Sequence, residues 1–377
     1  MPALLQKRPQ RVIVLMVDGL GPDYIAASSM PVLNGWQRKG IHKTVSGVMP
    51  SVTNANNTSI CCGVWPEAHG ITANFYLDEA TGREEYMESA DLVLRPTLFE
   101  KAQAAGIGSA LLSSKKKTIS LLRRGAGIVL SAETPTPEWT ERLGPAPDIY
   151  SAEINHWLLK AAIWILRNRP DIGILYIHTT DYPMHMLPPE AEQSRRHLTQ
   201  LDSLFGELTS AEPDAAVLLT ADHGMHHKTR CWDLEKACAA RGVILRSAIS
   251  AEQDKYLKHH QGFGGTAWVY LKSNRDADRA AAVIEKLPGI QEVLSRSEAA
   301  RRFRLMPSRI GELVVVGNRD TVFGGLDSEV ASLPPEYRSH GGLTEASVPL
   351  VVYNASGAPA AGFFRRNVDL TRWLFSQ

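Results

Sequence analysis

Apolar runs that lead into acidic residues recur along this chain. Three of them have the length and continuity of strands that are buried on both faces, as in a parallel sheet. They are residues 12–17, which lead into Asp18, residues 172–177, which lead into Asp181, and residues 215–220, which lead into Asp222. Ligands bind at such strand ends in open α/β sheets, so these acids are candidate ligands, although an acid here can also cap a helix.

Helical periodicity alternates with these runs. Residues 151–167 carry apolar side chains at helical spacing, and a second helix is predicted over about 191–208. Shorter strands are predicted at 109–113, 128–133 and 348–353. Strands and helices in alternation, joined by short links, predict a doubly wound α/β core.

The pattern changes after about residue 240. The next elements are predicted strands at 266–271 and 290–294 and predicted helices at 276–286 and 297–302. Together they form a compact βαβα unit, which is typical of a small inserted α+β cap. The predicted domains are a core of residues 1–245 and 308–377 and a cap of residues 246–307, and we expect the strand at 312–316 to return to the main sheet.

The polar stretch from Pro50 to Gly63 interrupts the apolar pattern. It has too little alternation for a strand, and it places Thr53 among amides where a helix could begin. A hydroxyl is a weak nucleophile near neutral pH and needs a base or a metal to remove its proton. Thr53 is therefore a candidate nucleophile if metal ligands lie nearby.

Histidines supply further candidate ligands. His185 follows Asp181 by four residues, His223 follows Asp222 directly, and His340 stands beside two glycines. Carboxylate and imidazole ligands together suit a divalent metal of the zinc type. His178, His226 and His227 are near these residues in sequence, but a solvent-facing position is as good an interpretation for each, so we leave them out of the site.

Composition narrows the class of protein. The chain has 377 residues, 44% of them hydrophobic, and 41 basic residues against 40 acidic ones. This length allows a large core, and the balanced charge gives no reason to expect nucleic acid or an anionic membrane as a partner. We find no signal peptide, no membrane-spanning run and no disulfide framework among the four cysteines, and we predict a cytoplasmic protein.

Three consecutive lysines, 115–117, follow the strand predicted at 109–113. On charge alone, such a cluster is ordinary for a solvated loop.

In combination, these motifs resemble the alkaline phosphatase superfamily, in its branch of nucleotide pyrophosphatase/phosphodiesterases. Within that branch they are most similar to the phosphonoacetate hydrolase family. The motifs that carry the resemblance are Asp18, Pro50-Ser-x-Thr53, His69-Gly, Asn74-Phe-Tyr, the lysine cluster, Ser131-Ala-Glu133, Asp181 with His185, Asp222-His223-Gly and Ser339-His340-Gly. They span residues 11–354, with the cap the least distinctive part.

The resemblance implies an alkaline-phosphatase-like fold and two zinc ions, with manganese or iron as alternatives. One ion would be held by Asp181, His185 and His340, and the other by Asp18, Asp222, His223 and the oxygen of Thr53. Asn74 and the amide of Thr53 would face the phosphoryl charge, and Lys115 and Lys117 would bind the carboxylate of the substrate. The implied reaction is cleavage of the carbon–phosphorus bond of phosphonoacetate through a phosphothreonine.

The expected partner is a small phosphonate, not nucleic acid or a membrane, and a homodimer stays open. Two departures from the family pattern concern the substrate. Lys116 replaces an acid between the two lysines, and residues 186–189 replace a lysine and a Pro-Gly turn.

Three other functions are weighed against this one. A nucleotide phosphodiesterase would share the metal ligands and Thr53 but would need an aromatic slot for a base. A phosphoglycerate-type mutase is disfavoured, because those enzymes use serine where this chain has Thr53. A catalytically silent sensor of phosphonate or metal has no need of an intact nucleophile.

Overall fold

The computed structural model describes residues 10–256, 258 and 261–375. In this part of the chain the strands are β1 Val12–Met16, β2 Ile41–Ser46, β3 Phe75–Asp78, β4 Arg83–Tyr86, β5 Gly108–Ser113, β6 Ile128–Ser131, β7 Ile172–His178, β8 Ala216–Thr220, β9 His226–His227, β10 Arg230–Trp232, β11 Leu245–Ser250, β12 Thr266–Leu271, β13 Ile290–Ser295, β14 Leu313–Gly317, β15 Thr321–Phe323, β16 Val330–Ser332, β17 Arg338–Ser339 and β18 Ser347–Tyr353.

The α-helices are α1 Pro22–Ala27, α2 Pro31–Lys39, α3 Thr53–Cys62, α4 Pro66–His69, α5 Leu98–Ala104, α6 Lys116–Leu122, α7 Pro137–Leu143, α8 Glu153–Asn168, α9 Tyr182–Met186, α10 Glu192–Ala211, α11 Leu234–Ala239, α12 Ala277–Ile284, α13 Arg296–Phe303 and α14 Asp369–Arg372.

A seven-stranded sheet, in the order β2-β18-β8-β1-β7-β5-β6, forms the centre of the fold. Strand β1 pairs in parallel with β7 and β8, so its carboxyl end lies between theirs. Every residue of these three strands is buried, which explains their continuous apolar runs. Helices α8 and α10 pack together, and α8 lies against β7. The doubly wound α/β core predicted from the sequence is confirmed.

A second sheet, in the order β11-β12-β14-β13, is antiparallel and carries α12 and α13. The strand predicted at 312–316 is β14 and lies in this sheet, so its expected return to the main sheet is wrong. The apolar run of β14 shows that the strand is buried but does not say which strands cover its edges. The division into a core and a cap with the boundaries given above stays a prediction.

Three smaller sheets join β15-β10-β16, β17-β9 and β3-β4 in the described part of the chain. A hairpin of β3 and β4 follows α4, in a segment where the polar sequence pattern predicts no strand. All four cysteines are buried and free. Within the described ranges, none of the helices has both the length and the apolar character that spanning a bilayer requires. The prediction about a signal peptide concerns residues 1–9, which lie outside the described residues.

Candidate active site

Three neighbouring strand ends place Asp18, Asp181 and Asp222 in one buried cluster. Each of these residues is at most 1% exposed. Gly19 follows Asp18 with a φ of +74°, and a Cβ at this position would lie 2.9 Å from Cβ of Asp181. Only glycine adopts this conformation freely and leaves room for so close an approach. The loop after β1 can therefore come close enough to the loop after β7 for the two acids to share a site.

Three histidines direct the same ring nitrogen into this cluster. In each ring, Nδ1 lies 2.9 Å from a backbone carbonyl oxygen. This oxygen belongs to Arg338 for His185, to Gly224 for His223 and to Ser51 for His340. A carbonyl oxygen only accepts hydrogen bonds, so Nδ1 must carry the proton that it donates. Nε2 is then the nitrogen that takes either a second proton or a metal ion.

The Nε2 atoms lie next to the carboxylates. Nε2 of His185 is 3.0 Å from Oδ2 of Asp181, and Nε2 of His223 is 3.3 Å from Oδ1 of Asp18. Nε2 of His340 is 3.8 Å from Oδ2 of Asp181. The five-residue helix α9 carries His185, while pairing of β17 with β9 positions the loop that holds His340. Distant parts of the chain therefore converge on one small volume.

These residues fit a divalent metal. Potential ligand atoms form two compact groups, one of Asp18, Asp222 and His223 and the other of Asp181, His223 and His340. Oδ2 of Asp222 is buried and has no hydrogen-bond partner among the described residues. A buried carboxylate oxygen without a partner is costly, and a bound cation would satisfy it. His223 belongs to both groups, and His185 lies beside the second through its contact with Asp181.

Protonation in this cluster reflects the crowding of negative charge. Burial and then the charge of Asp18 raise the pKa of Asp222. Burial opposes the charged form of His223, but Asp222, Asp18 and Asp181 outweigh it and raise the pKa of this histidine. Without a metal, protons thus supply part of the positive charge that the carboxylates require.

Thr53 is the first residue of α3, and its Oγ1 lies 3.5 Å from Nε2 of His223. The side chain is 1% exposed. Amides in the first turn of a helix have no acceptor within the helix, so they and the helix dipole favour negative charge at this point. The hydroxyl that the sequence predicts as nucleophile therefore lies against the candidate metal ligands, where an anionic group would be stabilised.

Helix α3 is buried along its whole length although most of its residues are polar. Its side chains find specific partners: Oδ1 of Asn56 accepts from the amide of Val48, and Oδ1 of Asn57 accepts from the hydroxyl of Tyr176. Buried polar groups persist when they are hydrogen-bonded in this way. These bonds fix the start of α3, and with it Thr53, relative to the loop that precedes it.

Asn74 is buried beside this start. Its Oδ1 accepts a hydrogen bond from the amide of Asn54 at 2.9 Å, and its Nδ2 lies 3.4 Å from the carbonyl oxygen of Glu252. The side chain therefore lies next to the first turn of α3, close to Thr53. Its contact with a phosphoryl group stays a prediction.

The lysine cluster does not form a solvated loop. Lys116 is exposed, but Lys115 and Lys117 are buried at the start of α6. A cation at the N-terminus of a helix is repelled by the positive end of the helix dipole. Lys115 and Lys117 therefore need negative charge from neighbouring side chains. Nζ of Lys115 lies 2.8 Å from Oδ2 of Asp18 and 2.6 Å from Oδ1 of Asp181, and Nζ of Lys117 pairs with Asp254. Burial lowers the pKa of each lysine, but these carboxylates more than offset it.

The family model for type I phosphodiesterase / nucleotide pyrophosphatase matches residues 12–342, a span that contains every residue of this site. The chain belongs to this family.

Within the family, the chain is similar to the phosphonoacetate hydrolase of Sinorhizobium meliloti 1021. The structure of that enzyme with phosphonoformate has a TM-score of 0.86 and 31% identity, over 97% of this chain and 95% of that one. Its structure with phosphonoacetate has the same TM-score at 30% identity and the same coverage. The family and the alkaline-phosphatase-like fold predicted from the sequence are confirmed.

A more distant likeness connects the chain to animal members of the family. The bis(5'-adenosyl)-triphosphatase ENPP4 of Bos taurus is 24% identical over 233 residues, which are 59% of this chain and 48% of that protein. The chain thus spans about half the length of the curated relatives that it matches.

Sequence reasoning missed three residues at this family site. Glu252 and Asp254 come from the segment after β11, and Oε1 of Glu252 lies 3.2 Å from Nε2 of His340. No sequence signal marks them, because neither ends an apolar run. His178, which the sequence analysis left out, is buried at the end of β7 with Nε2 3.2 Å from Oδ2 of Asp18. Its position directly after a predicted strand could have identified it.

The two histidines excluded with His178 lie apart from these contacts. His226 is partly buried and pairs with Glu345 at 2.8 Å, and His227 is exposed.

Proposed function

We propose that this chain is a metal-dependent hydrolase that cleaves the carbon–phosphorus bond of phosphonoacetate, giving acetate and phosphate. One observation carries the proposal: three histidines present Nε2 to a cluster of three buried aspartates, and the hydroxyl of Thr53 lies against that cluster. The similarity to a phosphonoacetate hydrolase along nearly the whole chain supports the choice of bond.

Two zinc ions are proposed for this cluster, and manganese or iron are alternatives with the same ligand types. Asp181, His185 and His340 would hold one, and Asp18, Asp222, His223 and Thr53 the other. A bound divalent ion supplies a Lewis acid that lowers the pKa of a hydroxyl and offsets phosphoryl charge. The His223 ring, fixed by its bond to the carbonyl of Gly224, keeps Nε2 directed at Oγ1 of Thr53.

The proposed nucleophile is Oγ1 of Thr53. After releasing its proton to solvent, Oγ1 would form a bond to phosphorus as the carbon–phosphorus bond breaks, and the electron pair of that bond would leave with the carbon. The carbanion spreads its charge into the adjacent carboxylate and takes a proton from water. A second water then hydrolyses the phosphothreonine, which releases phosphate and restores Thr53. The amide of Thr53 and the side chain of Asn74 are proposed to stabilise the phosphoryl oxygens.

The leaving group explains why lysines would be needed. Its carboxylate gains negative charge in the transition state, so ammonium groups beside it bind the transition state more strongly than the substrate. Lys115 and Lys117 are the candidates, since both are buried within the same site. Lys116 is exposed and is not assigned a role.

The decisive experiment measures phosphate release by the zinc-loaded protein from phosphonates with and without an α-carboxylate. Turnover of phosphonoacetate, with little turnover of methylphosphonate, is the expected result. Turnover of nitrophenyl nucleotide esters in preference to phosphonoacetate would replace this function by that of a nucleotide phosphodiesterase. Faster turnover of another carboxylated phosphonate in the same panel would identify that compound as the substrate.

The partner that we propose is therefore a small-molecule phosphonate. The cytoplasmic location stays a prediction from the sequence, and a homodimer stays open.

A further inference from the structure

The ammonium group of Lys117 already has an anionic partner within this chain. It pairs with Oδ2 of Asp254, and the side chains of both residues are at most 3% exposed. Asp254 lies in the segment between β11 and β12, far from α6 in sequence. This pair therefore brings an internal carboxylate to one of the two lysines that the proposed function assigns to the carboxylate of the substrate.

Local contacts hold Asp254 in this position. Its Oδ1 accepts hydrogen bonds from the amides of Lys255 at 2.6 Å and Tyr256 at 3.4 Å. The hydroxyl of Tyr256 donates to Oε2 of Glu133 at 2.6 Å, and Lys255 pairs with Glu88. Residues 254–256 are thus fastened to the surrounding chain at several points, and Oδ2 remains directed at Lys117.

A second carboxylate on this ammonium group would lie close to that of Asp254. Like charges repel strongly in a buried site, where the low dielectric constant screens them less than bulk water does. A substrate carboxylate therefore pairs with Lys117 at lower cost once Asp254 has separated from it. A cavity of about 380 Å³, bordered by Lys117, Glu133, Lys255 and Tyr256, lies beside the pair and provides space for such a rearrangement.

We propose that Asp254 is a specificity-determining residue that occupies the carboxylate position on Lys117 until a carboxylated substrate displaces it. This inference rests on the proposed function for the identity of that substrate. The carboxylate of Asp254 competes with weakly binding acids for Lys117. It also keeps this buried ammonium group paired when no substrate is bound. The pair with Asp254 weakens the binding of carboxylated ligands only, because a phosphonate without a carboxylate leaves the pair intact.

The test compares Asp254→Asn with the wild type by calorimetric titration of the zinc-loaded proteins. Phosphonoformate is the carboxylated probe and methylphosphonate the probe without a carboxylate. Asparagine keeps an oxygen for the amides of Lys255 and Tyr256 but removes the charge. We expect phosphonoformate to bind about tenfold more tightly to the variant and methylphosphonate to change by less than about twofold.

Glu292→Gln is the control, since it removes a carboxylate from the more exposed pair with Arg302 and leaves Lys117, Asp254 and the contacts that hold them in place. It should change neither affinity. Asp254→Ala should change the affinity for phosphonoformate in the same direction as Asp254→Asn. The inference is overturned if the Asp254 variants bind phosphonoformate no more tightly than the wild type does, or if they bind both probes more tightly to the same degree. It is also overturned if neither the wild type nor the variants bind phosphonoformate. Failure of the wild type to hydrolyse phosphonoacetate, with the expected binding pattern, would reject the proposed function alone.

Discussion

Nζ of Lys115 lies 2.6 Å from Oδ1 of Asp181, a candidate metal ligand, and both side chains are buried. The same ammonium group also pairs with Asp18, which is predicted to bind the other metal ion. Without metal, Lys115 therefore supplies part of the positive charge that these two buried carboxylates require. Its role is thus coupled to metal content as well as to substrate.

Lys115→Met should destabilise the metal-free protein more than the metal-loaded one. Removing one partner of a buried ion pair costs about 3 kcal/mol, whereas bound metal would neutralise the same carboxylates. Urea unfolding of both forms measures the difference, and Lys116→Met, at an exposed position, is the control. Equal destabilisation of the two forms would contradict this account of Lys115.

Lys117→Ala should reduce kcat/KM for phosphonoacetate by about 100-fold, the effect of losing a charged hydrogen bond in a buried site. The kcat/KM for an activated aryl phosphate ester should fall by less than about threefold, because this substrate lacks the carboxylate. Initial rates on both substrates measure the selectivity, with Lys116→Ala as control. Equal losses on the two substrates would remove Lys117 from carboxylate recognition.

Thr53→Ala should abolish turnover of every substrate while metal content stays close to that of the wild type. The hydroxyl is the proposed nucleophile, but the aspartates and histidines provide the other ligand atoms. Phosphate release and elemental analysis of the purified variant test both halves of the prediction. Thr53→Ser, which retains a hydroxyl, is the matched variant and should keep measurable activity. Turnover by Thr53→Ala would refute the covalent route.

Glu345 should make the protein's stability depend on pH in the acid range. Its carboxylate is fully buried, with Oε1 2.8 Å from His226 and 2.9 Å from Lys228. Burial opposes ionisation, but Lys228 and His226 outweigh it and lower the pKa to about 2. A lowered folded-state pKa stabilises the protein at pH values above the ordinary pKa of 4.5, and this contribution disappears as pH falls toward 2.

Glu345→Gln should therefore lower the free energy of unfolding at pH 7 by up to about 3 kcal/mol, and its difference from the wild type should shrink below about pH 4.5. Urea unfolding of metal-free protein between pH 7 and pH 3 measures this. Glu292→Gln, which removes a carboxylate from a more exposed pair with Arg302, is the control. A difference that does not change with pH would show that the loss of stability has another cause.

The sequence by itself determined the parts of the site that lie at strand ends. Asp18, Asp181 and Asp222 could be identified because a strand buried on both faces is a continuous apolar run, and the first acid after it marks the ligand-binding edge. The start of α3 at Thr53, the family and the fold were also predicted from local pattern and motif.

Only the tertiary structure decided which groups meet across the chain. It placed β14 in the second sheet, it buried Lys115 and Lys117 against carboxylates, and it brought Asp254 to Lys117. None of these contacts leaves a local pattern, because an ion pair between distant residues imposes no periodicity on either segment. Hydrophobic periodicity records which side chains are buried, whereas the choice of partner depends on how the strands and loops pack together.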